Sequence, residues 1–172
     1  IEYKEFKQAN PNDLSADEIA KQLQESGAWP MITERPYGLM ANPSAKPKAI
    51  FISAFNTAPL AADNDFILEG KEAAFQAGLD ALNKLTEGSV NLTLDNNNDN
   101  CPIFKNAKGV TLNYAHNNGK HPAGNVGVHI HHVDPINKGE VVWTVAAQDV
   151  AIIGNIFLEG KFMPERIVAV TG

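Results

Sequence analysis

The run Ala49-Ile-Phe-Ile-Ser-Ala-Phe55 constrains the fold more than any other stretch of this chain. It is short, rich in strand-forming side chains, and apolar at every position but one. A strand with one wet face alternates apolar and polar residues. A strand without alternation is buried on both faces, as in a parallel sheet covered on both sides by helices.

The rest of the chain supplies those helices. Ser15 and Glu18 form a capping box, Leu14 and Ile19 a hydrophobic staple, and Gly27 ends the first helix just after Ser26. A second helical pattern runs over 64–85, with Phe66, Ala73 and Ala77 on one row and Leu68, Phe75, Leu79 and Leu82 on another. Gly70 and Gly78 each weaken it by roughly 1 kcal/mol against Ala, so close packing is expected to compensate. A third helix is predicted over 147–158, carrying Val150, Ile153 and Phe157, with Gly160 just past its end. Strands are predicted at 49–54, 90–94, 110–115, 141–145 and 166–171. Four prolines within 30–48 predict a long shaped loop without regular structure. Short strands alternating with helices predict an α/β fold, a three-layer domain with a mostly parallel sheet. Residues 1–13, with Tyr3 and Phe6 weakly alternating, read as a linker or edge segment, and 14–172 as a single α/β domain.

Composition narrows the function. With 172 residues there is room for one well-packed domain. A formal net charge of -6 without a Lys/Arg cluster argues against nucleic acid and against direct docking on anionic lipid. The single cysteine, Cys101, can neither close an internal disulfide nor hold an iron–sulfur cluster, and fits a reducing cytoplasm. No apolar run approaches the ~20 residues of a membrane span, and no signal peptide is evident. The chain opens on Ile1 and closes on a strand-like run, so it reads as an internal fragment of a longer polypeptide.

Four of the five histidines lie between His121 and His132. On a helix His129 and His132 share a face and His131 points away; on a strand His129 and His131 share a face and His132 opposes them. Neither period converges three ligands, so no metal site is expected, although two of them with His121 or Asp134 remain an alternative. Imidazoles on a helix surface or interface are the plainer reading, and a role in ligand binding or proton gating is another. The segment 126–133 fits either period; Asn125 and Pro122 suit a helix entrance, and a short helix is the expectation. Asp95 to Asn100 is a polar turn whose sixth and twelfth positions, Asn100 and Asn106, do not suit an EF-hand. There is no Walker loop, no Gly-x-Gly-x-x-Gly after a strand and no Gly-x-Ser-x-Gly elbow. Ser53 lies at a strand end without turn glycines and is not expected to be a nucleophile. No catalytic residue is assigned.

Several separated stretches nevertheless carry a resemblance in order: Glu25-Ser-Gly-Ala-Trp29, Arg35-Pro-Tyr37, residues 49–63, His121-Pro-Ala-Gly124, His129-Ile-His131, and residues 142–154. Together they resemble the A-type component of the bacterial sodium-translocating NADH:quinone reductases, over nearly the whole chain from Leu14. That component is in turn similar to the flavoprotein of complex I and to the C-type component of the Rnf complex. The resemblance implies the fold of their flavin-binding domain. It implies a peripheral place on the cytoplasmic side of the bacterial inner membrane, in a complex that oxidises NADH, reduces ubiquinone and exports sodium. The other subunits of that complex are the implied partners, carrying the flavins and iron–sulfur; ubiquinone is an implied substrate.

In those relatives a glycine-rich loop follows the first helix and cradles the flavin phosphate. Here Trp29-Pro-Met-Ile-Thr-Glu-Arg-Pro-Tyr-Gly38 stands there, and Glu34, if it faces the cleft, would repel a phosphate. Likewise the relatives' Ala-Glu-Cys-Glu-Pro-like strand end becomes Ala54-Phe-Asn-Thr-Ala-Pro59. No cofactor is therefore expected in this chain. Phe55, Asn56 and His121 are the candidate quinone or ligand cleft residues, because the relatives' flavin cleft would lie near them; packing and turn formation are the plainer roles for all three. A flavin oxidoreductase domain and a purely structural assembly domain are the alternatives.

Overall fold

The computed structural model describes residues 4–95, 101–115 and 120–170. The predicted central strand is β3 (Ala49–Ser53), flanked by β4 (Ser89–Asp95) and β6 (Val142–Ala146), with β5 (Thr111–Ala115) beyond β4. These four are parallel, with Ile52 level with Leu92 on one side and Val145 on the other. The sheet is mostly parallel, as the alternation of strands and helices predicts.

The sheet also has two strands the sequence reading missed. β1 (Thr33–Arg35) pairs antiparallel with β6, and β2 (Leu39–Met40) pairs with β1 at the sheet's edge. The expectation that 30–48 lacks regular structure is thus corrected. The prolines fall outside the ladder: Pro30 precedes β1, Pro36 separates the two strands and Pro43 follows β2, so no ladder N–H is lost.

Helices α1 (Ala16–Ser26), α3 (Glu72–Lys84) and α6 (Ala147–Glu159) cover one face of the sheet. The Ser15 hydroxyl accepts from the Glu18 amide at 3.3 Å, and the Glu18 carboxylate accepts from the Ser15 amide at 2.9 Å. Gly27 closes α1 at φ 80°, where only glycine is unstrained. Ile50, Ile52, Val90, Leu92, Trp143 and Val145 point into this core and meet Ile19, Leu23, Phe75, Leu79, Ile153 and Phe157. α3 and α6 touch backbone to backbone. A Cβ on Gly78 would lie 2.0 Å from the Val150 carbonyl oxygen, and one on Gly154 would lie 1.8 Å from that of Ala74. The compensation expected of Gly78 is this contact.

The predicted 64–85 helix is two helices, α2 (Asn64–Leu68) and α3. Gly70 breaks it by adopting φ +72°, outside the right-handed helical region. The break turns Phe66 out to 66% exposure, whereas Leu68, Phe75, Leu79 and Leu82 are buried as expected. The turn foreseen near Pro102 is a short helix, α4 (Pro102–Lys105). The polar run after Asp95 and Tyr3 lie outside the described residues.

The other face carries α5 (Val126–Val133), capped by the Asn125 side chain accepting from the Gly127 amide at 2.9 Å. The short-helix reading of the histidine segment holds, although Pro122 stands before the cap. Ile130 meets Ala49, Phe51 and Val142 in a small second core. At the N-terminus, the Phe6 amide donates to Gly160 and the Ala9 amide to Phe157, docking this segment on the end of α6.

No strand forms at 166–170, which corrects that expectation. Ile167 to Val170 form an apolar run but join no ladder, and Val168 and Val170 remain 69% and 91% exposed. Arg166 is instead drawn to Asp149 in the first turn of α6 at 2.6 Å. Among the described residues no helix is long and apolar enough to cross a membrane.

Candidate ligand cleft at the sheet's switch point

From β3 the chain moves to β4 and β5 on one side, then returns to β6 on the other. The loops leaving β3 and β6 therefore diverge. In open α/β sheets a crevice at such carboxyl ends is the usual ligand site. Here it is a cleft of about 620 Å³. Ser53, Phe55 and Asn56 line it from the end of β3, residues 144–149 from β6 and the start of α6, and Met31 and Thr33 from the edge of β1. Residues 166–169 close one side.

The turn after β3 is held by its own polar groups. The Ser53 hydroxyl donates to the Phe55 carbonyl at 2.7 Å, which ties it to the backbone. Asn56 accepts from the Ala58 amide at 2.9 Å through its side-chain oxygen. Thr57 accepts from the Gly124 amide at 2.9 Å and lies 3.4 Å from His121 Nδ1. A Cβ on Gly124 would approach the Thr57 nitrogen to 2.6 Å, so only glycine lets these two loops pass. Phe55 stacks on His129, ring centres 5.2 Å apart and planes at 26°.

Of the three predicted residues, Phe55 and Asn56 line the cleft. His121 does not; it stands behind Thr57 and is linked to the wall only through that threonine. The remaining histidines diverge. His129 is buried, with Nε2 at 2.8 Å from the Ala123 carbonyl, while His132 reaches the Val128 carbonyl and packs edge-on against His131. Among the described residues no three His, Cys, Asp or Glu side chains gather closely enough to hold a metal ion.

The cleft's charged pair, Asp149 and Arg166, was not foreseen. Asp149 stands in the first turn of α6, and its burial pushes its carboxyl above the ordinary aspartate value, while Arg166 pulls the other way. Seventeen residues separate the two, and nothing local in sequence links them. Gln148 beside them is buried with its side-chain nitrogen unpartnered. A smaller cavity of about 250 Å³ adjoins, lined in part by Asp63, Asp65 and Cys101. Burial, then the Asp65 carboxylate, raises the Cys101 thiol above its ordinary range, which disfavours a reactive thiolate.

A phosphate-bearing cofactor needs free N–H donors and uncommitted positive charge. The segment standing where a glycine loop would cradle it is paired into the sheet as β1, and the Trp29 indole N–H is committed to the Ala41 carbonyl at 2.7 Å. The first turn of α6 holds a carboxylate, and the one lining cation is bound to it. Glu34, which would repel a phosphate only if it faced the cleft, does not line it. It accepts from the Trp143 indole and the Asn42 amide, each at 3.3 Å, away from the cleft.

This combination defines a class: three-layer α/β domains with a cleft at the topological switch point of the sheet. The same fold recurs in the crystal structure of an NAD+-reducing [NiFe]-hydrogenase in the air-oxidized state, with a TM-score of 0.59 and 14% identity over 87% of this chain and 31% of that one. The chain itself belongs to the family described as the NqrA second alpha/beta domain, whose model matches residues 14–162. It is 42% identical over 159 residues to the A-type component of the Na(+)-translocating NADH-quinone reductase of Alcanivorax borkumensis, covering 92% of this chain and 35% of that protein. It is 38% identical to the same component from Cellvibrio japonicus and 36% to that from Photorhabdus laumondii, covering 100% of this chain in both. The chain spans 38% of the length of each of these two relatives.

Proposed function

We propose that this chain is a non-catalytic domain of a sodium-translocating NADH:quinone reductase, with a cleft suited to a neutral headgroup such as that of ubiquinone and unsuited to flavin. The observation that supports this reading is the Asp149–Arg166 pair at the start of α6, which places a carboxylate where a phosphate would seek the helix N-terminus. Family membership supports the complex. Its other subunits are the partners and carry the flavins and iron–sulfur, and the domain is peripheral on the cytoplasmic side of the bacterial inner membrane. Phe55 and Asn56 are the contacts proposed for a quinone ring, and His121 acts only through Thr57. The domain by itself turns over nothing.

The test is made on the full-length protein, separated from its partners. Its visible spectrum is expected to lack flavin bands, and an FMN titration is expected to give no saturable fluorescence quenching. A short-chain ubiquinone analogue is expected to bind saturably, more weakly in Phe55→Ala. Saturable quenching at low micromolar FMN would overturn the cofactor-free reading. A failure of the quinone analogue to bind would reduce the domain to an assembly element.

A further inference from the structure

A separate cavity of about 460 Å³ lies between α5 and the β4–β5 edge of the sheet. It shares no lining residue with the switch-point cleft. Val128 and Val133 of α5 face Thr93 and Asn113 of the sheet across it, His129 and His132 also line it, and among the described residues no Lys, Arg, Asp or Glu does. Two polar atoms are buried in that wall without a hydrogen-bond partner: Thr93 Oγ1, on a residue 2% exposed, and His129 Nδ1, on a residue 4% exposed. Buried polar groups are nearly always paired, and two orphans on residues that line one cavity call for a common explanation.

The chemistry of the two atoms is fixed by their surroundings. His129 Nε2 lies 2.8 Å from the Ala123 carbonyl, and a carbonyl only accepts, so the ring proton sits on Nε2. Burial, and to a smaller degree His132, disfavours a second proton. Nδ1 is therefore a bare lone pair that needs a donor. Phe55 stacked on the ring and the Nε2 bond hold it in place. Thr93 Oγ1, on β4, can donate or accept.

We propose that this cavity binds a neutral aromatic alcohol of the phenol class, whose hydroxyl donates to His129 Nδ1 and whose oxygen accepts from the Thr93 hydroxyl. An anion finds no cation in the lining, and an ammonium finds no carboxylate. A molecule with only carbonyls cannot satisfy Nδ1. A flat ring suits the gap between Val128 and Val133 of α5 and the sheet. The site stands apart from the function proposed above, since it uses a different cavity and its test does not involve quinone or flavin.

The decisive experiment is a ligand-observed NMR titration of the full-length protein with 4-methylphenol and with its methyl ether, 4-methylanisole, which accepts but cannot donate. The phenol is expected to bind saturably and at least tenfold more tightly than the ether. His129→Phe keeps the ring stack but removes the acceptor, and is expected to erase that preference. Thr93→Val, a change of similar shape, is expected to weaken the phenol several-fold. No saturable binding of the phenol to the wild-type protein, as when water alone satisfies both atoms, overturns the proposal. Equal binding of phenol and ether does the same, and so does a preference that survives in both variants. The wild-type comparison decides even where a variant fails to fold.

Discussion

The two faces of the central sheet are covered on different terms. On one, α1, α3 and α6 bury Trp143, Ile50 and Ile52, and the aromatic rings of Phe75 and Phe157, in a continuous core. On the other, the eight-residue α5 joins Ala49, Phe51 and Val142 in a small core through Ile130, and the strand residues beside them are polar: Asn91, Thr93 and Thr144. The first face is built to hold the fold. The second tolerates buried polar groups and leaves room between helix and sheet. Stability and binding capacity are thereby separated across a single layer of strands.

Substitutions on each face sharpen that contrast. The largest loss is expected for Phe75→Ala, which removes a ring that packs edge-on against Phe104 at 5.5 Å from the centre of the thick layer. It is expected to cost about 3–5 kcal/mol in urea unfolding. Gly154→Ala follows, at about 2–3 kcal/mol, because its methyl must push α6 off the Ala74 carbonyl. On the thin face Ile130→Ala is expected to cost about 2 kcal/mol, the lower end for such a truncation, since few neighbours surround it and they can relax. A loss there as large as that of Phe75→Ala would erase the distinction between the faces.

The smallest effect is a pH dependence. Burial holds His129 below the ordinary histidine value of 6.5. The unfolded chain then binds its proton first as pH falls. The stability that goes with the neutral ring is complete above that value and is lost as pH drops below it toward the folded-state value. Between about pH 7.5 and 5 the wild-type midpoint in urea is therefore expected to fall more than that of His129→Phe. A parallel decline in both proteins would remove His129 from the account.

The central strand was legible because burial on both faces leaves an apolar run at 49–52, and β4 because Val90, Leu92 and Leu94 alternate with polar residues. β1 was not, since three polar residues between prolines carry no hydrophobic period, and their partners, β6 and β2, are not evident from that stretch. Residues 166–170 mislead in the opposite sense: Ile167-Val-Ala-Val170 is a short apolar run like that of a buried strand, but a strand exists only where it pairs into a ladder. Gly70 could be read as a weak point in a helix, whereas its left-handed backbone is set by where α2 must turn. At the cleft, Phe55 and Asn56 were named through the resemblance alone, because the relatives' flavin cleft would lie near them, and the structure places both in the lining. The Asp149–Arg166 pair was not, because it closes across a loop by charge alone. Thr93 looked like an ordinary outward residue of an alternating strand; its burial depends on α5, whose placement no local pattern reveals.

The paired glycines at the crossing of α3 and α6 also have a mechanical meaning. Sliding either helix by one turn, about 5.4 Å, would bring Val150 or Leu158 to the position of Gly154, where not even a methyl fits. The crossing acts as a keyway with a single seat, so the two helices translate together or not at all. Any displacement delivered to α3 from outside the domain then arrives at Gln148 and Asp149, at the lip of the cleft, as movement of a rigid strut.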